Sequence, residues 1–279
     1  MVSYDEILLA LREGAEKRPD LAAALQLYGA LLEAEARVAM EPGPAAALDK
    51  EQARRRLDEG RALLSPEQVQ VDAGKLATLL AEIGFTIARH RREHINPLAK
   101  IHAWLHERRE HMGELAVEYL REGRLQEAEK AGLPWELVSL VFREALRPFL
   151  RAQAEALAPL VDDAGWYRGY CPICGGEPDI AALGRDSGRR RLLCSRCDNE
   201  WTFRRVGCPF CGNEEPAQLA HYPSDDKEGY RLSVCERCRR YLKTIDLRAV
   251  AGEHPLAAER ILTTGMDVAA ERMGYRAET

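Results

Sequence analysis

Eight cysteines fall between Cys171 and Cys238, and every one belongs to a Cys-x-x-Cys pair: Cys171/Cys174, Cys194/Cys197, Cys208/Cys211 and Cys235/Cys238. That pattern constrains the fold more than any other feature, because two thiols separated by two residues sit on one tight turn and point at a common centre. A disulfide framework is the alternative reading, and it needs an oxidising compartment. The opening segment MVSYDEILLALREGAEKRPD has no basic start, apolar run or small-residue cleavage site of the secretory kind. A cytoplasmic location with reduced thiols is therefore expected, and metal binding with it. Membrane insertion is not expected, since no stretch approaches the roughly 18 consecutive apolar residues a spanning helix requires.

The gaps suggest how the pairs combine. Nineteen residues separate Cys174 from Cys194 and twenty-three separate Cys211 from Cys235, whereas ten separate Cys197 from Cys208. The two longer gaps have room for a β-excursion that leaves one knuckle and returns with the next. Two sites in sequential order are predicted: Cys171, Cys174, Cys194 and Cys197 around one ion, and Cys208, Cys211, Cys235 and Cys238 around a second. The segment DNEWTFRRV between them reads as a strand with Trp201 and Phe203 on one face and Thr202 and Arg204 on the other. That strand is expected to hold the two sites together. In CPICG and CPFCG, proline and glycine stand where the chain must turn tightly and leave backbone N–H groups free to bond sulfur. Zinc and rubredoxin-type iron both suit four thiolates.

A closed tetrathiolate shell has no open coordination position, so a structural role for both ions is expected rather than catalysis. Metal binding at such a site contributes on the order of 10 kcal/mol, enough to support a small β module with few apolar residues. The chain has no phosphate loop, no nucleophile elbow, no dinucleotide fingerprint and no zincin motif. It is not expected to be an enzyme. Two other readings are a zinc-ribbon nucleic-acid-binding protein and a tetrathiolate redox protein. Charge weakens the first: residues 166–248 carry 15 Lys/Arg against 12 Asp/Glu, a small excess inside a chain of net charge −5. The second lacks a βαβ frame around an open pair.

Upstream of the cysteines the texture is helical. Ser3 and Glu6 form a capping box before an apolar run, and Pro19-Asp20 restarts a helix. EPGPAAALD reads as a loop. Leu76, Leu79, Leu80, Ile83 and Ile87 recur at helical spacing. Asn96-Pro97 is expected to open one long helix through Leu98, Ile101, Leu105 and Met112, and Pro148 predicts a kink or restart in the last long helix. His90/His94 and His102/His106 lie four residues apart but without a metal-binding context, so they read as solvated or capping. The fold class is α+β: an all-α region over 1–165, a first four-cysteine ribbon over 166–206, a second over 207–248, and a C-terminal helix over 249–279.

The motifs GYCPICGGEPDIAAL, LLCSRCDNEWTFRRVGCPFCG, CERCRRYLKTID and LTTGMDVAAERMGYR, in that order, resemble the formate dehydrogenase accessory protein family, FdhE. The likeness covers about residues 166–276, and REALRPFLRAQAEAL agrees upstream. It departs at Ser233-Val234, before the seventh cysteine. The resemblance implies a cytoplasmic, non-catalytic maturation factor, chaperone-like, that binds the catalytic subunit of a molybdenum- or tungsten-containing formate dehydrogenase and carries rubredoxin-like iron or zinc. On that reading Tyr170, Arg204, Arg205, Tyr230, Tyr241 and Lys243, all near a knuckle and several of types favoured at hot spots, are candidates for the partner surface. The alternative is that Tyr241 simply continues a strand and that the arginines are solvated.

Overall fold

A capping box at Ser3 and Glu6 starts α1, Tyr4–Lys17, and a 3-10 turn at Pro19 leads into α2, Ala22–Val38. The computed structural model describes residues 1–38, 48–162 and 165–277. The loop expected over 41–49 lies, up to residue 47, outside the described residues. Asp49 then caps α3, Lys50–Asp58, and Asp72 caps α4, Ala73–His90. Next come α5 (Ile95–Glu107), α6 (Met112–Glu122), α7 (Gln126–Lys130) and α8 (Trp135–Leu157).

The single helix expected from Asn96 past Met112 is thus two, broken by a 3-10 turn at Arg109–His111. Leu105 and Met112 are seven residues apart, a spacing that one straight helix and two joined helices both satisfy, so periodicity could not reveal the break. Pro148 brings no restart either, since α8 runs through it with Pro148 buried. Its missing N–H forfeits one bond to the Glu144 carbonyl, a loss offset by burial of nearly every neighbouring side chain from Glu144 to Ala154.

No strand occurs before residue 165 among the described residues. Beyond it lie β1 (Pro178–Leu183), β2 (Arg190–Cys194), β3 (Glu200–Phe203), β4 (Leu219–Pro223), β5 (Tyr230–Cys235) and β6 (Arg240–Asp246). They form one six-stranded sheet in the order β3-β2-β1-β6-β5-β4. Each half repeats the same order: knuckle, hairpin, knuckle, third strand. The halves meet in the middle, where β1 and β6 run parallel with Ile180 opposite Lys243 and Ala182 opposite Ile245. The expectation that the DNEWTFRRV strand holds the two sites together is corrected here. That strand, β3, sits at the sheet edge, with Trp201 and Phe203 buried on one face as expected.

Alternation along the strands feeds two cores. Ala181, Leu192, Trp201 and Leu242 pack with side chains of α2, α4, α5, α6 and α8. Their neighbours Ile180, Ala182, Leu193 and Tyr241 pack with Ile7 and Leu11 of α1 and with the C-terminal helices. The period of two is the strand's own geometry, and packing crosses residue 165 on both faces. The cysteine region is therefore not short of apolar support. At the C-terminus the expected single helix is two, α9 (Leu256–Leu262) and α10 (Thr264–Arg272), broken at Thr263, whose hydroxyl donates back to the Glu259 carbonyl at 2.5 Å.

Candidate metal centres

The four knuckles share one local device. The residue after the second cysteine of every pair has a left-handed backbone: Gly175 (φ 71°), Asp198 (φ 56°), Gly212 (φ 69°) and Arg239 (φ 57°). This turn lets the chain reverse. In the first, Cys171 N–H donates to the Gly176 carbonyl at 2.8 Å and Gly175 N–H to the Cys171 carbonyl at 3.0 Å. Glycine adopts that conformation freely, aspartate tolerates it, and arginine does so at some cost. The CPICG and CPFCG glycines are legible for that reason, while Asp198 and Arg239 are not.

The cysteines gather as the gaps predicted. Cys171, Cys174, Cys194 and Cys197 form one cluster and Cys208, Cys211, Cys235 and Cys238 the other, with all sulfurs of a cluster within 4.8 Å of one another. In the first, Sγ–Sγ distances are 3.6 Å for Cys171–Cys197 and 3.4 Å for Cys174–Cys194. In the second they are 3.6 Å for Cys208–Cys238 and 3.7 Å for Cys211–Cys235. Disulfides would stand at about 2.05 Å, and a tetrahedron of ~2.3 Å metal–sulfur bonds has edges of about 3.8 Å. The clusters fit a tetrahedral ion of zinc or iron size. Backbone N–H groups of Ile173 and Arg196 approach Cys171 and Cys194 sulfurs at 3.4 Å. Asn199 and Asn213 side chains approach the Cys171 and Cys235 sulfurs at 3.8 and 3.7 Å. Such donors stabilise thiolate charge.

Burial pushes the Cys171 and Cys197 thiols well up, while hydrogen bonds from Cys171 and its companions hold Cys174 well down. Four crowded sulfurs cannot all lose their protons unless a cation takes their place, which is the chemistry of a tetrathiolate site. The two sites differ in access. Cys171, Cys194 and Cys197 are fully buried and only Cys174 is partly open, whereas Cys211 and Cys238 are both partly open. A cavity of about 220 Å³ beside the second site is lined by Cys208, Cys235, Arg190 and His221.

Asp198, in the second knuckle of the first site, ends in a buried ion cluster that the sequence did not announce. Arg147 and Arg260 reach its carboxylate at 3.3 and 2.8 Å, and Arg151 contacts the other oxygen. Arg147 also pairs with Glu144 at 3.0 Å, and Arg260 with Asp179 at 3.1 Å. Burial pushes the Asp198 carboxyl up, but the three guanidinium groups outweigh it and hold it below the usual range. Arg147 also donates to the Ser195 carbonyl at 3.3 Å and Arg260 to the Cys194 carbonyl at 2.9 Å. α8 and α9 thus grip the knuckle directly. The one signal in sequence is the repetition of charge through REALRPFLR of an otherwise apolar helix.

The six partner-surface candidates separate. Tyr230, Tyr241 and Lys243 are 6%, 5% and 4% exposed, so the expectation that they meet a partner is corrected. They lie on strands covered by the C-terminal helices, where Lys243 Nζ donates to Asp267 at 2.7 Å and Tyr241 to the same carboxylate at 2.8 Å. Tyr230 faces His254, at 3.2 Å from Nδ1. Tyr170 is partly buried, its hydroxyl donating to the Gly60 carbonyl at 2.7 Å. Arg204 and Arg205 are exposed, with Arg204 paired to Glu214. His90, His94, His102 and His106 join no metal-type cluster among the described residues.

A helical scaffold gripping one sheet that carries two four-cysteine clusters defines a class of protein: a double tetrathiolate module built for metal binding. The chain matches no family model. It is 28% identical over 147 residues to "Protein FdhE homolog" of Aquifex aeolicus, covering 52% of this chain and 51% of that protein. It is 27% identical over 151 residues to "Protein FdhE" of Escherichia coli, covering 53% of this chain and 46% of that protein. The chain spans about half the length of the curated relatives it matches. The crystal structure of the FdhE protein from Pseudomonas aeruginosa shares the fold, with a TM-score of 0.64 over 99% of this chain and 95% of that one, at 21% identity. Together these likenesses support the FdhE family for this chain.

Proposed function

We propose that the protein is a non-catalytic accessory factor in formate dehydrogenase maturation, acting in the cytoplasm by binding the enzyme's catalytic subunit, the molybdenum- or tungsten-containing one. The observation that carries the reading is the pair of tetracysteine clusters on one sheet, in a chain that shares sequence and fold with FdhE proteins. Each cluster would hold one zinc or iron ion through Cys171, Cys174, Cys194 and Cys197 or through Cys208, Cys211, Cys235 and Cys238. Bound ions would supply cross-links between strands whose rigidity lowers the ordering cost of partner binding. Arg204 and Arg205, exposed beside the second site's first knuckle, are the residues we assign to the partner surface, with Tyr170 at its edge. No helix of the described residues is long and apolar enough to cross a membrane.

Co-purification with the catalytic subunit tests this. Wild-type chain is expected to retain the subunit, and an Arg204→Ala/Arg205→Ala variant with intact metal content is expected to lose it. Failure of the metal-loaded wild type to bind the subunit would overturn the assignment. Binding that survives in the double variant would move the surface elsewhere.

A further inference from the structure

The helical region carries a second surface that neither metal cluster touches. A groove of about 820 Å³ runs between α4 and α5, with Leu80, Leu98, Ile101, Leu105 and Val141 in its floor. Phe85 and Ile95 stand on its lips at 66% and 49% exposure. Large apolar side chains so placed mark contact surfaces. Arg89, Arg92 and His102 also line it. Residues 89–111 carry six Lys/Arg and five His against three Glu, in a chain of net charge −5. Arg89 and Arg92 make no ion pair among the described residues, while Glu82 on α4 is already engaged by Arg37. The groove is therefore apolar within and cationic at its rim.

We propose that this groove docks an acidic amphipathic helix of another protein, apolar side chains down and Asp/Glu toward Arg89 and Arg92. Three observations select that occupant. The walls are helices, whose backbone groups are already bonded, so an extended peptide would leave its own N–H and C=O groups without partners. A helix satisfies its own, and helix-in-groove docking anchors residues at i, i+3, i+4 and i+7. Along α4 the lining runs from Leu80 to Arg89, about 13 Å at ~1.5 Å per residue, long enough for the roughly 10 Å that those four anchors span. The surface is concave, whereas a membrane-seeking element presents a convex apolar ridge. The proposal is independent of which enzyme the metal module serves.

Gly84 makes the test clean. It lies mid-helix on the groove wall, and a Cβ there would be 4.0 Å from the nearest atom, Leu98 Cδ2. A Gly84→Leu side chain would fill the groove without a clash at Cβ while improving the helix, since glycine is about 1 kcal/mol poorer than alanine in a helix interior.

The probe is a capped, fluorescein-labelled 18-residue peptide with Leu at helical spacing and Glu or Gln elsewhere, read by anisotropy on the full-length chain. Saturable binding is expected, about tenfold or more tighter than a scrambled peptide of the same composition, and weakened by salt. Gly84→Leu is expected to lose about tenfold in affinity with its melting temperature kept or raised, and Arg89→Glu/Arg92→Glu to lose most of the low-salt affinity. Should Gly84→Leu not fold, Phe85→Ala takes its place, with the same loss expected. Equal affinity for the scrambled peptide, or unchanged affinity in a folded groove variant, overturns the proposal. So does capture by phosphatidylglycerol vesicles, or groove-dependent self-association in sedimentation, without peptide binding.

Discussion

Replacing Asp198 by asparagine keeps its shape and its tolerance for the left-handed backbone, φ 56°, but removes the charge at the centre of the buried cluster. At an effective dielectric of about 20, each carboxylate–guanidinium contact near 4 Å carries roughly 4 kcal/mol of gross attraction. Arg260, Arg147 and Arg151 make three such contacts. Much of that gross energy offsets the desolvation of four buried charges, and removing one partner of a buried pair costs about 3–5 kcal/mol net. For a chain of this size the expected fall in melting temperature is about 10 °C, from roughly 2–4 °C per kcal/mol. The assay is thermal and urea unfolding at neutral pH, with chelator-released metal followed in parallel. Because Asp198 follows Cys197 directly, release from the first site should quicken while release from the second does not. Arg12→Ala, at an exposed pair with Glu33, is the control and should change stability by less than about 0.5 kcal/mol. A fall for Asp198→Asn no larger than the control's, or equal quickening at both sites, would refute the idea that the cluster holds the knuckle.

Gly176→Ala would place a Cβ 2.8 Å from Cys194 Sγ, and metal analysis should show loss from the first site with the second retained. A chelator should remove metal from the wild type in two phases, the faster from the second site, where Cys211 and Cys238 are partly open; Cys238→Ser should abolish the fast phase. Burial holds the Glu35 carboxyl well above its ordinary 4.5, with Glu144 adding to the effect and Arg147 opposing it. The folded state then binds the extra proton, so stability falls as pH rises from 4.5 toward the folded value. Glu35→Gln should flatten that fall, and a urea midpoint measured from pH 5 to 8 that declines as in wild type would count against the assignment.

The gaps between cysteine pairs determined the two four-thiol sets, because a knuckle is a local structure and the length of chain between knuckles limits which can meet. Helical periodicity and the Ser3 capping box likewise located α1, α4 and α8, since both act within one or two turns. Local pattern did not determine where helices bend: a seven-residue spacing is kept across the break at Arg109–His111, and Pro148 is absorbed by packing that only the assembled fold supplies. Nor did it reveal that β1 and β6 pair in parallel and make one sheet of both modules, because pairing between residues some sixty apart leaves no local signature. The same holds for exposure. Tyr241 and Lys243 look like surface residues beside a knuckle, yet α9 and α10, the next helices along the chain, fold back over them. Asp198 reads as a turn residue after a cysteine pair. It becomes the anchor of the first site only when α8 and α9 bring three arginines to it, since a buried charge is fixed by partners that distance along the chain conceals.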